Sequence, residues 1–499
     1  MSGYKRPKRA NVSILKNAKN PHIKNSSFTV SNTTNVKISG NGASDPLQKL
    51  YDQVARNAIL NAGGRADEVR CYPGTREEVV GLMEPWMDGK DSATPNMMWL
   101  SGPAGAGKSA IVQTMAERCR QRGVQAASFF FFRADPTRST AHSLVATLVY
   151  QIFKFHPSAR QAIATILSDD PLLFDGSIQD QFSQLLSLPW QDTSQLGDSP
   201  GRRPIVLLID GLDECGSRDK SSQRQILQAL DRLVMQDNSP FLALVASRAE
   251  PQLTMAFKQL ASPVNSIFLD EQYQPEKDIR AFVTGEFARI KKAHHLAHML
   301  SDHWPSDEDT ESIVKKSSGQ FIYAATVMRY LANSSASPKL SLEMVQGIHV
   351  PDGTNSPFAH LDGIYKYILS QANDLGAVMD ILSVQLLYAS INSPMLLYDF
   401  EGTLRLCNSR YTPEVLHSCV SDLTAILQFD GDNMGLVFFH ASLPDFLKDK
   451  SRAEGYYIDM DAFGAKILPA IWMTIPKNSF CKWFWCMDYW SILISPLLM

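Results

Sequence analysis

Gly102-Pro103-Ala104-Gly105-Ala106-Gly107-Lys108-Ser109 follows directly on the apolar run Met97-Met98-Trp99-Leu100-Ser101 and leads into Ala110 to Arg122, whose spacing is helical and which closes at Gly123. The octapeptide fits G-x-x-x-x-G-K-[ST], and a strand before it with a helix after it is the context that gives the pattern meaning. Glycines let successive backbone N–H groups turn inward as an anion nest. The helix that follows adds its positive end. Lys108 is placed to reach the β- and γ-phosphates of a nucleotide, and the Ser109 hydroxyl to ligate Mg²⁺. The stretch therefore predicts a phosphate-binding loop on a parallel α/β sheet.

The chain on either side carries the same alternation. Val124 to Phe132 is almost continuously apolar, as a strand covered on both faces should be, and Thr140 to Phe155 is helical by spacing. Pro204-Ile205-Val206-Leu207-Leu208-Ile209 reads as a buried strand and runs into Asp210-Gly211-Leu212-Asp213-Glu214-Cys215. This brings Asp210 to the carboxyl edge of the sheet, where such sheets bind ligands; it is a candidate Mg²⁺ ligand, directly or through water. Asp213 or Glu214 would then orient and deprotonate an attacking water. A further strand, Phe241 to Ala246, ends in Ser247-Arg248, and a guanidinium at that edge matches γ-phosphate oxygens as well as it matches a salt-bridge partner.

Six segments are expected: a basic, disordered arm over 1–46, a helical lead-in over 47–92, the nucleotide-binding core over 93–272, a helical domain over 273–375, a winged-helix-like domain over 376–455 with the apolar run Leu436-Val437-Phe438-Phe439 as its β-wing, and an aromatic tail over 456–499; within the core, Leu188 to Arg203 reads as a surface loop. In the lead-in, one helix is predicted from Leu47 to about Ala62 and a second from Thr75 to Trp86. The arm alternates at Ser27-Phe28-Thr29-Val30 and Asn35-Val36-Lys37-Ile38 as short strands do. No period of 20–50 residues marks a repeat array.

The 499 residues, 44% hydrophobic and 20% charged, exclude disordered, collagenous and small disulfide-scaffold classes. A net charge of −3 gives no global attraction to nucleic acid or anionic membrane. Residues 1–44 nonetheless hold eight Lys or Arg and no acid, among them Lys5-Arg6-Pro7-Lys8-Arg9, a solvated tail or a nuclear-import address. Seven scattered cysteines without CxxC spacing, and a start without an apolar signal, favour a reducing, cytoplasmic location. No stretch reaches the roughly 20 apolar residues of a spanning helix. His294, His295, His298 and His303 have no zinc-type partner nearby, and a solvated helix face is the expectation for them.

The motifs combined, Gly102–Ser109, Asp210–Cys215 and Ser247-Arg248, resemble the NACHT group of STAND P-loop NTPases, in the fungal variety also described as nephrocystin-like. Cys71-Tyr72-Pro73-Gly74-Thr75-Arg76, Lys315 to Ala324 and Phe439-His440-Ala441-Ser442-Leu443-Pro444-Asp445-Phe446-Leu447 match further family motifs, so the resemblance spans about residues 50–455. It implies a P-loop core, a helical domain and a winged helix that closes over a bound diphosphate. It also implies Thr75 and Arg76 near the base and His440 on the diphosphate, with Ala441 where some relatives carry aspartate. An effector domain before the core and a repeat sensor after it are not evident, which suggests an atypical or truncated member. Four of the eight tryptophans fall in the last 28 residues, a composition unlike the rest.

Function follows as an expectation. The resemblance implies an ATP/ADP switch, with GTP as the open alternative, hydrolysing slowly in fungal non-self recognition or programmed cell death signalling. It implies self-association on activation and an effector or sensor protein in trans. A turnover AAA-like ATPase and a non-catalytic nucleotide-binding adaptor or decoy are the competing classes; the complete set of Lys108, Ser109, Asp210, Asp213 and Glu214 speaks against the adaptor.

Overall fold

The computed structural model describes residues 45–60, 70–89, 94–191, 204–216, 220–348, 358–390, 400–421, 423–429 and 435–474. The expectations for the basic arm up to residue 44, and for the tail beyond Thr474, lie outside them. Five strands, β1 Met97–Ser101, β2 Gln125–Phe130, β3 Ile205–Asp210, β4 Phe241–Ser247 and β5 Val264–Phe268, form one parallel sheet in the order β2-β3-β4-β1-β5. β1, β3 and β4 are buried along their whole length, because helices cover both faces. On one face Met98, Leu100, Val206, Leu208 and Leu244 pack with helices Glu77–Met87 and Lys108–Arg122. On the other, Trp99, Phe129, Leu207 and Val245 pack with Leu144–Ile152 and Ser221–Met235. The alternation along each strand is what separates the two cores.

Register decides where chemistry collects. Ser101 lies beside Ser247 and Phe268, and Phe130 beside Asp210, so the five strands present their carboxyl ends on one line. The helix Lys108–Arg122 starts immediately beneath that line. It ends as predicted at Gly123, whose φ of 67° permits the reversal in which Val124 N–H donates to the Cys119 carbonyl at 2.8 Å.

After the sheet, helices beginning with Pro275–Ala293 and Phe321–Asn333 lead to an antiparallel ribbon of β6 Leu427–Phe429 and β7 Leu436–Phe438. They share one apolar core, in which Val283, Val327, Ile364, Ile381 and Phe446 are buried together.

Some elements are shorter than their sequence pattern. The helix expected over Leu47–Ala62 is Pro46–Asp52 followed by a 3₁₀ turn, Arg56–Ala58, because Ala55 N–H is drawn to Thr147 Oγ1 at 2.9 Å. The strand expected to Phe132 stops at Phe130; Phe132 N–H instead meets the Arg138 carbonyl at 3.2 Å in a turn. The helix expected over Thr140–Phe155 is Leu144–Ile152. Leu188–Gln191 is helical rather than looped, with residues 192–203 outside the described set. β5 escaped the pattern because Asn265 and Ser266 interrupt its apolar run at the sheet edge. His294 and His298 do not share a helical face, since the helix ends at Ala293. His294 is buried, its Nδ1 accepting from Leu296 N–H and its Nε2 bonding to the Ser334 carbonyl.

The glycine-rich loop touches the helical region directly. Gly105 has φ 75°, and a Cβ there would collide with Ile322 of the helix Phe321–Asn333. Gly105→Ala is expected to cost about 1–3 kcal/mol through overpacking and left-handed strain. Urea denaturation should show the loss, and adding Ile322→Ala should recover the steric part of it.

Candidate functional site

A cavity of about 600 Å³ lies above the aligned strand ends. It is lined by Ala104, Gly105, Gly107, Lys108 and Ser109 of the glycine-rich loop, by Asp210, Asp213, Glu214 and Arg248 of the sheet edge, by Thr75 and Arg76 of the lead-in, and by His440 beyond β7. Gly102, Pro103 and Ala106 contribute backbone carbonyls behind this lining. Lys108 Nζ donates to the Gly102 and Pro103 carbonyls, each at 2.9 Å, and Arg76 Nη2 donates to the Ala106 carbonyl at 2.8 Å. Left-handed Gly105 and Gly107 turn the loop between strand and helix. Burial lowers the Lys108 pKa, with Asp213 opposing that effect.

The acids after β3 are held differently from one another. Asp210 closes the strand and is 4% exposed. Gly211, left-handed at φ 69°, turns the chain into a 3₁₀ segment over Leu212–Glu214. Gln223 braces that segment from below, its Nε2 donating to the carbonyls of Asp213 and Cys215 at 3.3 and 2.9 Å. Both Asp213 oxygens face Arg248: Oδ1 accepts its backbone N–H at 3.0 Å and Oδ2 lies 3.2 Å from Nε. Glu214 accepts the Arg133 N–H at 2.9 Å. Its burial, followed by the charge of Asp213, raises its pKa to about 7. A carboxyl poised there can exchange a proton at neutral pH. Arg248 also reaches Asp445 at 3.0 Å, which makes it a member of an ion network rather than a surface salt bridge.

At the opposite end, Thr75 closes a turn onto the Tyr72 carbonyl through both its N–H, at 2.9 Å, and its hydroxyl, at 2.7 Å. Arg76 adopts φ 59°, receives Asp278 on its backbone N–H at 3.0 Å and stacks its guanidinium 5.0 Å from the Phe321 ring centroid. It is 4% exposed, and its Nε and Nη1 make no hydrogen bond among the described residues. Tyr72 packs edge-on to Phe282 at 5.7 Å, in a space that only Gly285 leaves open. An aromatic, donor-bearing recess results, suited to a planar ring with acceptor atoms.

His440 shows its tautomer. The Ser442 backbone N–H, which can only donate, meets Nδ1 at 3.1 Å, so Nδ1 is the acceptor and the neutral ring carries its proton on Nε2. Ser442 Oγ lies 2.7 Å from the same atom and is itself 2.8 Å from the Tyr365 hydroxyl. Burial first, then Arg248 and Lys108, push the His440 pKa down to about 3.

Sequence reading missed Arg133, Gln223 and Tyr365, which have no fixed spacing from any motif, and gave Phe321 no role although it lies within the quoted Lys315 to Ala324 stretch. Ser442 and Asp445 lay within the quoted Phe439–Leu447 stretch without a role. Among the described residues no cluster of three or more His, Cys, Asp or Glu has metal-site geometry, and no helix is long and apolar enough to cross a membrane.

Residues 81–248 match the family described as Nephrocystin 3, N-terminal. Among solved structures, the Walker-type ATPase PABY2304 of Pyrococcus abyssi aligns at TM-score 0.37 and 12% identity, over 75% of this chain and 96% of that one. AMPPCP-bound DnaA from Aquifex aeolicus aligns at TM-score 0.26 and 14% identity, over 62% and 93%. No curated protein matches the chain.

The His440 environment makes a pH prediction. The ring is neutral when folded and takes a proton near pH 6.5 when unfolded, so the unfolded chain binds more protons below that pH. Its contribution to stability is complete above about pH 6.5 and is lost as pH falls toward 3. Chemical denaturation between pH 7 and pH 4 should show a steeper decline for the wild type than for His440→Gln.

Proposed function

We propose that the chain, whose residues 81–248 match the Nephrocystin 3, N-terminal family, is a nucleotide-dependent switch, closed on a nucleoside diphosphate and opened by exchange for a triphosphate. The observation that carries this reading is the shared cavity: Lys108 and Ser109 line it from the sheet and His440 lines it from beyond β7. One ligand with a base, a ribose and phosphates can touch both of these regions and the lead-in at Thr75 and Arg76 at once. The His440 Nε2–H is a donor of the right kind for a diphosphate oxygen, and Lys108 with the loop N–H groups suits the remaining phosphate charge. The recess of Arg76, Tyr72, Phe282 and Phe321 suits the base, adenine or guanine.

The Ser109 hydroxyl and Asp210 carboxylate are hard oxygen donors that fit Mg²⁺, an ion that neutralises phosphate charge when bound. Because Arg248 occupies both oxygens of Asp213, Glu214 is the better base for an attacking water. Slow hydrolysis resets the switch. Reversing a 1:99 equilibrium requires about 5.5 kcal/mol of differential binding, and the γ-phosphate contacts are its source. The segment 376–455 acts as a winged-helix-like lid, self-association follows opening, and an effector or sensor in trans receives the signal. Its setting, a cytoplasmic role in non-self recognition or cell-death signalling of the fungal kind, rests on the motif resemblance.

Nucleotide released by denaturing freshly purified protein should be near-stoichiometric diphosphate when identified by chromatography; an empty site with fast turnover would favour the working ATPase instead. Lys108→Ala should abolish binding, and micromolar affinity retained in that variant would refute the phosphate role. Single-turnover hydrolysis should rise with pH through about 7 as Glu214 loses its proton, while Glu214→Gln should trap triphosphate and flatten the profile.

A further inference from the structure

Asp445 lies on the short helix Ser442–Leu447 beyond β7, far along the chain from the sheet edge. Its carboxylate nevertheless bridges two arginines of that edge. Oδ1 accepts from Arg133 Nη1 at 2.8 Å and Oδ2 from Arg248 Nη2 at 3.0 Å. All three side chains are about four-fifths buried. Burial alone would raise the Asp445 pKa, but Arg133 and Arg248 outweigh it and hold the carboxyl below its ordinary range; Lys448 adds to the positive surroundings.

Arg248 thus has one side committed to Asp213 and the other committed to a carboxylate from a distant segment. A guanidinium fork accepts a carboxylate and a phosphate in the same geometry, and one Nη2 cannot serve both fully. We propose that Asp445 is an internal stand-in for a nucleotide γ-phosphate: its carboxylate takes the Arg248 and Arg133 donors that a triphosphate would claim, so a diphosphate coexists with the bridge and a triphosphate competes with it. The inference rests on the switch reading above. It also supplies a lever. Asp445 sits three residues beyond Ser442, which orients His440, so displacing the carboxylate disturbs the diphosphate contact through the same short helix. Asp445 is a positioning residue, acting through Arg248 rather than on the ligand.

The test compares affinities of fluorescent ADP and of a fluorescent, non-hydrolysable ATP analogue for the full chain, its Asp445→Asn variant and its Asp445→Glu variant. Removing the competing charge should tighten the ATP analogue about tenfold, a typical site-to-site coupling, while ADP affinity does not rise. Asp445→Glu, which keeps the anion, should move back toward wild type. Equal changes for both nucleotides would make Asp445 a mere structural prop and overturn the proposal. Absence of binding to the wild type would overturn the switch reading and this inference together. Hydrogen exchange on the wild type gives a readout that no variant's folding can obscure: the ATP analogue should speed exchange in Ser442–Leu447 several-fold over ADP, and equal exchange under both would overturn the proposal.

Discussion

The carboxyl ends of β1, β2, β3 and β4 stop on one line, and that register governs the rest of the molecule. It sets the glycine-rich loop, the Asp210–Glu214 turn and Arg248 side by side. The concentration of polar groups that follows is a consequence of backbone pairing, since β1, β3 and β4 end at Ser101, Asp210 and Ser247. Helices on both faces keep water from the strands beneath, so the edge is the place where ions and a ligand can be accommodated.

Charges gathered there are costly unless they are paired. The structure answers with a chain of ion pairs running from Asp213 through Arg248 and Asp445 to Arg133. Glu214, at the flank of this chain, accepts a backbone N–H from Arg133, and burial beside Asp213 raises its pKa. His440 pays the same toll in the other direction, neutral among Arg248, Lys108 and Arg329. Two groups at one edge are therefore driven toward their uncharged forms, one an acid and one a base, by the same local arrangement.

Close approach ties the sheet to the helical region at two glycines. Gly105 leaves room for Ile322, and Gly285 leaves room for Tyr72. Through these contacts the glycine-rich loop and the lead-in that walls the opposite end of the cavity both rest on helices after residue 275. A shift of those helices is felt at both ends of the cavity, because packed contacts of this kind do not deform smoothly.

The sequence by itself determined four of the five strands and the glycine-rich loop, because they are written locally: apolar runs of strand length, glycines at fixed spacing, and acids or an arginine at the run's end. Lys108, Ser109, Asp210, Asp213, Glu214 and Arg248 were legible for that reason, and Thr75, Arg76 and His440 were legible only through motif resemblance. Element ends were less legible, as at Ala55 and Phe132, where tertiary partners capture a backbone donor that the local pattern assigns to a helix or a strand. The tertiary structure alone decided the partners. Nothing in the spacing of Arg133, Arg248 and Asp445 joins residues 312 and 197 positions apart, and nothing in the letters around His440 says which ring nitrogen carries the proton. Those facts depend on where distant segments come to rest, and side-chain pairing across a fold has no period that a chain can display.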